Sequence, residues 1–494
     1  MNIPSPRILL VASTLLTALL VVLPGCEDKQ QATNPAPTDT SAAADAEIDA
    51  AEDIAVGPKW PYGVEAKTGW AIGIARVDVS PVSPVHLGGY GLCAINGDEC
   101  RIQLGIHDPA TATAFAAADL TNGALVVIVA VDSVGLVATD LSLWRSEIAS
   151  LLQAQGAPID ATRIILTSSH SHCTPDTLGL WSPIGGRDPA YAEQVRAGIV
   201  RAALDAAAAI QPANLVYGLG ELAQWSNDKD ATDYQLQTLQ AREPDTGKVI
   251  ASLVRWGGHP TVYSENNLAV SADYVGVTRA LVEAKTGALS IFVQGSLAAI
   301  YPQETATCAT EDPFPNGYMH ADVTENQHRL VICTGTTVAD VAIKALAEAT
   351  VPIGTTGIKT RDVKYKIPLE NEQLRLAANL GLVPLPPSID LSVDQVEWES
   401  RLSWIQLGDI DLLTIPGEAS PAFTEALLKR MQVAGRTRVM AIGMSQDWMG
   451  YLLTPAQWQD DDFAYQQTVS IGPQVLAKTL AALELALDPT AVLP

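Results

Sequence analysis

A chain of 494 residues, 48% apolar and 17% charged, has material for one large or two moderate domains with an ample core. Its 55 acidic residues outnumber 30 basic ones, and the formal charge of −25 argues against nucleic acid as a partner, since no basic footprint exists to neutralise phosphates. The same acidity suits a solvated, secreted protein.

Residues 1–25 read as an export signal. Arg7 precedes an apolar run from Ile8 to Leu23, and the segment closes on Leu23-Pro24-Gly25-Cys26, which resembles a bacterial lipoprotein box with Cys26 as the lipidated residue. A transmembrane anchor needs about 20 apolar residues, and this run is barely long enough. The expected location is the cell envelope, as an exported lipoprotein of the periplasm, outer membrane or cell surface, held to the membrane by a lipid anchor. Residues 26–56, rich in Ala, Asp, Thr, Pro and Gln without an aromatic ring, read as a disordered tether. The remainder, 57–494, is expected to be one α/β domain.

Within it, 70–80 reads as an entry strand and Gly88-Gly89-Tyr90-Gly91 as a tight turn. The uninterrupted apolar run 124–131 (ALVVIVAV) marks a strand covered on both faces, ended by Asp132. Thr139 caps a helix to Gln155, with Leu143, Ile148, Leu151 and Leu152 as its inner stripe and Gly156 closing it. A strand at 163–167 completes a β-α-β unit, so the two strands are parallel and Asp132 and His170 share one sheet edge. The grammar recurs: a helix from Asp188-Pro189 to about 210, a strand at 249–256 ending in Gly257-Gly258-His259-Pro260, a helix after Ser271-Ala272-Asp273, and a strand at 289–293. Residues 305–330 read as a polar surface excursion, and 355–400, broken by prolines, as a subdomain. Strands at 410–415 and 437–442 lead to Pro416-Gly417-Glu418 and to Tyr451. The fold class is α/β, a mixed or parallel sheet flanked by helices with a site at the strand carboxyl ends.

Apart from Cys26, five cysteines remain. Cys93 with Cys100, and Cys308 with Cys333, are expected to pair in an oxidising compartment. Cys173 is left over as a third ligand, a reactive thiol or a buried small hydrophobe.

The chemistry gathers at His170-Ser171-His172. In an extended segment, residues two apart face the same side, so both imidazoles can address one pocket, as metal ligands or as ligand and proton carrier. The polar residues just past the expected strands are Asp132, His170, His172, His259, Glu418 and Tyr451. Two or three imidazoles, one carboxylate and an open position compose a catalytic zinc site.

These residues stand in motifs that resemble the neutral/alkaline non-lysosomal ceramidases over about 73–473. The motifs are Gly88-Gly89-Tyr90-Gly91, Gly105-Ile106-His107, Thr167-Ser168-Ser169-His170-Ser171-His172, His259-Pro260-Thr261, Ser271-Ala272-Asp273-Tyr274, Phe292-Val293-Gln294-Gly295, Pro416-Gly417-Glu418 and Gly450-Tyr451 with Tyr465 beyond. The resemblance implies His170, His259, Glu418 and Tyr451 as zinc ligands, His172 as a catalytic residue beside the metal, and Tyr465 as a hydroxyl donor to the scissile carbonyl. Tyr301 takes the catalytic place of the family's nucleophilic serine. A phenol is a poor acyl carrier, which disfavours a covalent serine mechanism. The family's arginine is replaced by Asp228 and Lys229, and its C-terminal β domain has no counterpart before Pro494. The expectation is an exported Zn2+-dependent hydrolase acting through metal-activated water on an amide or ester of a small-molecule or lipid-like N-acyl substrate. A non-catalytic zinc-binding surface lipoprotein is the alternative.

Overall fold

The computed structural model describes residues 60, 64, 68–91, 100–183, 186–222, 235–298, 300–301, 307–350, 352–354, 357–380, 389–393, 395–488 and 490. In chain order the elements are β1 (Trp70–Asp78), β2 (Gly105–Ile106), β3 (Thr111–Asp119), β4 (Ala124–Val131), α1 (Ala138–Ala154), β5 (Ile164–Ser168) and α2 (Pro189–Ala208). Then come β6 (Gln211–Glu221), β7 (Gln235–Arg242), β8 (Val249–Trp256), β9 (Ala269–Val270), α3 (Tyr274–Thr286), β10 (Ser290–Gln294) and α4 (Glu325–Glu348). The last part holds β11 (Ile358–Pro368), α5 (Glu372–Asn379), β12 (Glu397–Leu407), β13 (Ile410–Thr414), β14 (Glu418–Ala419), α6 (Pro421–Val433), β15 (Val439–Ile442), β16 (Tyr451–Leu452), α7 (Ala464–Thr468) and α8 (Val475–Leu487).

Eight strands form one mixed sheet in the order β10-β8-β7-β6-β1-β3-β4-β5. The β4–β5 and β8–β10 pairs are parallel, as the crossover helices between them require. The apolar run of β4 shows why the sheet needs two cores. Leu125, Val127, Val129 and Val131 pack with α1 and α2, while Val126, Ile128 and Ala130 point to the opposite side. There they meet not helices but a second, four-stranded sheet, β11-β12-β13-β15, through Ile405, Leu407, Leu412, Met440 and Ile442. Helices α3 and α4 continue the outer helical layer beside Val254, Trp256 and Phe292, and α6 and α8 cover the far face of the second sheet. The layers therefore run helix, sheet, sheet, helix.

Helix α1 departs from its expected frame. It begins at Ala138 with Val137 before it, and its buried stripe is Leu141, Trp144, Arg145, Ile148 and Leu152. Those residues recur at three- and four-residue steps, which leaves Leu143 on the water side, 68% exposed. Cys308 and Cys333 form a disulfide that ties the irregular 307–324 segment to α4. Thr324 and Gln327 close the start of that helix as a reciprocal cap, each side chain accepting from the other's backbone N–H at 3.2 Å. The expected lipidation at Cys26 and the Cys93 half of the other pairing lie outside the described residues.

Candidate metal centre

The carboxyl ends of both sheets meet at one place. Gly443, following β15, donates its N–H to Gln294 O at 2.9 Å, and the Gln294 side chain donates to Ser169 O at 2.5 Å. Just past β5, the backbone of His170 turns into the left-handed region (φ 64°), which a side chain other than glycine's enters only under constraint. The constraint is visible: His170 N–H donates to Ser133 O at 2.9 Å and its Nδ1–H to Val134 O at 2.5 Å. That second bond sets the tautomer and leaves Nε2 aimed into the pocket, the arrangement found behind metal-bound imidazoles.

Two further imidazoles arrive at the same point. His172 Nε2 lies 3.1 Å from His170 Nε2, and His259 Nε2 lies 3.3 Å from His172 Nε2. The segments are laced together, His172 N–H donating to Pro260 O at 3.2 Å. From the second sheet comes Glu418, with Oε2 3.2 Å from His170 Nε2 and Oε1 accepting from Trp448 Nε1 at 3.0 Å. The parallel pairing of β14 with β16 sets Glu418 directly beside Tyr451. The structure thus gathers His170, His172, His259, Glu418 and Tyr451, all five expected from sequence to line one pocket.

Burial favours the uncharged form of His172 and His259. Burial, then His170 and His259, hold the His172 pKa well below its usual value, and burial with His170 lowers that of His259 to about 3. For Glu418, burial acts upward but loses to His170, His259 and the Trp448 N–H, which bring it down to about 2. Burial, and next Glu418, push the Tyr451 phenol well up. The donor set fits a divalent cation. With its Nδ1–H spent on Val134, His170 presents Nε2 beside two further imidazole nitrogens and a carboxylate oxygen, the nitrogen-and-oxygen donor set of a catalytic zinc site.

Tyr301 stacks on His259 with ring centres 5.6 Å apart and planes 12° apart, and donates to Ala298 O at 3.3 Å. Tyr465, on α7, meets Tyr451 edge-on at 6.0 Å. Its ring is half exposed, yet burial and Glu418 push its pKa up to about 12. Two expected candidates belong elsewhere. Asp132 is consumed by Arg279, which reaches both its oxygens at 2.9 and 2.7 Å. Cys173 packs in the core with its thiol pushed up to about 12 by burial, so of its three expected fates it takes that of a small hydrophobe. Sequence reasoning missed Trp448, Tyr90 and Arg101. Tyr90 meets the His172 ring edge-on at 4.9 Å, and Arg101 lies 4.9 Å over Tyr90 while donating to the carbonyls of Gly88 and His172. A glycine-rich turn and a lone arginine carry no signal of that stacking.

No protein-family model matches the chain, and no curated protein matches it. Solved structures do. A neutral ceramidase from Pseudomonas aeruginosa superposes with a TM-score of 0.68 over 87% of this chain and 77% of that one, at 17% identity. The fold is that of neutral ceramidase. A ceramidase complexed with C2 gives a TM-score of 0.66 at 16% identity, over 86% of this chain and 77% of that one. On this ceramidase-like fold the imidazole cluster and Glu418 stand at the carboxyl ends of the strands, where open α/β sheets hold their ligands.

Proposed function

We propose that the chain is an exported zinc-dependent hydrolase that cleaves an N-acyl amide or an ester. The observation that carries this is the meeting of three imidazole Nε2 atoms, those of buried His170 and His259 and partly buried His172, with the Glu418 carboxylate at the joined ends of two sheets. Its ceramidase-like fold supports the choice of an N-acyl substrate, since one neighbour is a neutral ceramidase and another a ceramidase complexed with C2. His170, His259, Glu418 and Tyr451 would hold the ion, which supplies a Lewis acid and a water of lowered pKa at neutral pH.

The chain's own residues do the rest. His172, uncharged through burial, takes a proton at Nε2 and returns it to the leaving amine. The Tyr465 hydroxyl, kept protonated at neutral pH, donates to the carbonyl oxygen as charge develops there. Trp448 and Val134 hold Glu418 and His170 in place by one hydrogen bond each. Tyr301, flat against His259, walls the pocket and keeps that ring from turning.

Metal analysis of purified protein, with hydrolysis of short-chain N-acyl substrates, tests this. Zinc and activity are expected together, both removed by chelator, restored by zinc, and lost in His170→Ala and Glu418→Ala. Undiminished zinc in both variants overturns the site. Tyr301 in contact with His259, where the family resemblance implies a serine, favours one second reading, a zinc-binding protein without turnover. Stoichiometric zinc with no hydrolysis of any N-acyl or ester substrate selects it.

A further inference from the structure

Among the described residues a second set of ligand-type side chains lies apart from the His170 cluster: His107, Asp312 and His328. Three distant segments supply it. His107 follows β2, Asp312 sits in the irregular stretch before α4, and His328 is in the first turn of α4. His107 Nε2 is 3.3 Å, and His328 Nε2 3.1 Å, from the same carboxylate oxygen, Asp312 Oδ2.

What distinguishes the group from an incidental ion pair is the support behind each member. His107 Nδ1 is 3.1 Å from Asp108 Oδ1, and His328 Nδ1 is 2.9 Å from the Tyr263 hydroxyl. Asp108 is itself held by the N–H of Ala272 at 2.9 Å and by the Ser271 hydroxyl. Asp312 Oδ1 accepts from Phe314 N–H at 2.8 Å, which leaves Oδ2 for the two imidazoles. Each histidine therefore has one ring nitrogen engaged from behind and the other converging on a carboxylate, the carboxylate-histidine-metal pattern in which outer partners orient the ligands. Ligand atoms about 3.3 Å apart are what a tetrahedral ion with bonds of about 2.0–2.1 Å requires. Tyr263 and Phe314 meet the His107 ring edge-on at 5.8 and 6.0 Å. The His107 side chain is 3% exposed, but Asp312 and His328 are 17% and 19% exposed, so the group opens to water on their side.

We propose that His107, Asp312 and His328 form a second binding site for a divalent transition cation of the zinc type, separate from the site at His170. Two imidazoles and one carboxylate select such an ion over calcium or magnesium, which prefer oxygen alone. Its role is to pin the 307–324 segment against β2. The brace extends toward the first site, because Ser271, which holds Asp108, also accepts at its carbonyl from the Ser171 hydroxyl at 2.7 Å.

The full chain is stripped with chelator and dialysed to equilibrium against zinc, followed by metal counting and thermal melting. The wild type is expected to hold two equivalents, and Asp312→Asn, His328→Gln and His170→Ala one each. The first two variants keep hydrolytic activity if the first site is catalytic. Tyr263→Phe, which removes only the hydroxyl behind His328, is expected to weaken the second equivalent by about 10–100-fold with the fold intact. A single equivalent in the wild type that is lost in His170→Ala, or a count unchanged by Asp312→Asn and His328→Gln, overturns the proposal. The metal count does not depend on turnover, so an absence of hydrolysis would remove the proposed function while leaving the second equivalent in place.

Discussion

His170 concentrates strain and chemistry in one residue. Its left-handed backbone costs roughly 1–3 kcal/mol, which the surrounding hydrogen bonds to Ser133 and Val134 must offset. The residues behind the ligands are as testable as the ligands. Trp448→Phe deletes the donor to Glu418 Oε1 while keeping an aromatic ring, and zinc affinity should fall about 10–100-fold by competition with a chelating dye. Unchanged affinity would mean that Glu418 is oriented some other way. Acid should also unfold the metal-free protein in a readable window. His259 titrates at about 3 when folded and at about 6.5 when unfolded, so the unfolded chain takes up the proton first and stability falls as pH drops from 6.5 toward 3. The slope from this one group is at most about 1.4 kcal/mol per pH unit. Glu418, held at about 2, adds stability that is present above its unfolded value near 4.5 and lost as pH falls toward 2. Urea midpoints at pH 7.5 and 5.0 should differ in the metal-free wild type and differ less in His259→Phe, where His172 still contributes; an equal difference in both would refute the assignment. At this scale the His-x-His pair was legible from residue type and closeness in sequence, but the expected route was wrong: the backbone turns at His170 instead of running extended, and bonds to Ser133, Val134 and Pro260 bring both rings to one pocket. Trp448, Arg101 and His328 were not legible, because each acts on residues that only tertiary closure brings near.

Two-residue strands decide the placement of Glu418, the proposed carboxylate ligand. β14 and β16 put Glu418 beside Tyr451, and Gly450 makes that register attainable: its φ is +69°, and a Cβ there would lie 1.8 Å from Val469 O. Gly435, with φ +76° and open space around it, is the matched control. Gly435→Ala should cost roughly 1–2 kcal/mol, from backbone conformation alone, and leave zinc untouched. Gly450→Ala should cost more and weaken zinc binding as well, which melting curves and dye competition would separate. A different element carries the Asp132–Arg279 pair. Arg279→Leu strands a buried carboxylate and should destabilise by about 3–5 kcal/mol while the zinc affinity proposed for the His170 site stays unchanged in the folded molecules. Loss of that zinc would return Asp132 to the metal site. Longer elements were legible in outline, the β4-α1-β5 unit most of all, since eight apolar residues in a row demand cover on both faces. Strands of two residues such as β2, β9, β14 and β16 carry too few side chains to show a period. The α1 stripe was misplaced at Leu143 alone, which faces water, whereas Ile148 and Leu152 are buried, Leu151 packs partly buried against the core, and Leu141 and Trp144 set the start of the stripe.

Across the molecule, two sheets packed face to face hold the site between the ends of their strands. An apolar strand announces that both its faces are covered but not by what, which is why a flank of helices was expected where the second sheet lies. The disulfide acts at this scale too, closing a 25-residue separation between the irregular segment and α4. Cys308→Ser with Cys333→Ser should cost about 3.5 kcal/mol from loop closure alone, measured by urea unfolding; a loss near zero would mean that the segment is held by other contacts. The order of the ligands along the polypeptide has a consequence for biosynthesis. His170, His172 and His259 emerge from the ribosome well before Glu418 and Tyr451, and the second sheet cannot assemble until its last strand, β15, has been made. A partly synthesised chain therefore offers three histidines but no finished pocket, so loading of the proposed cation would belong after translation. A cell would then choose the metal by where folding finishes rather than by where synthesis begins.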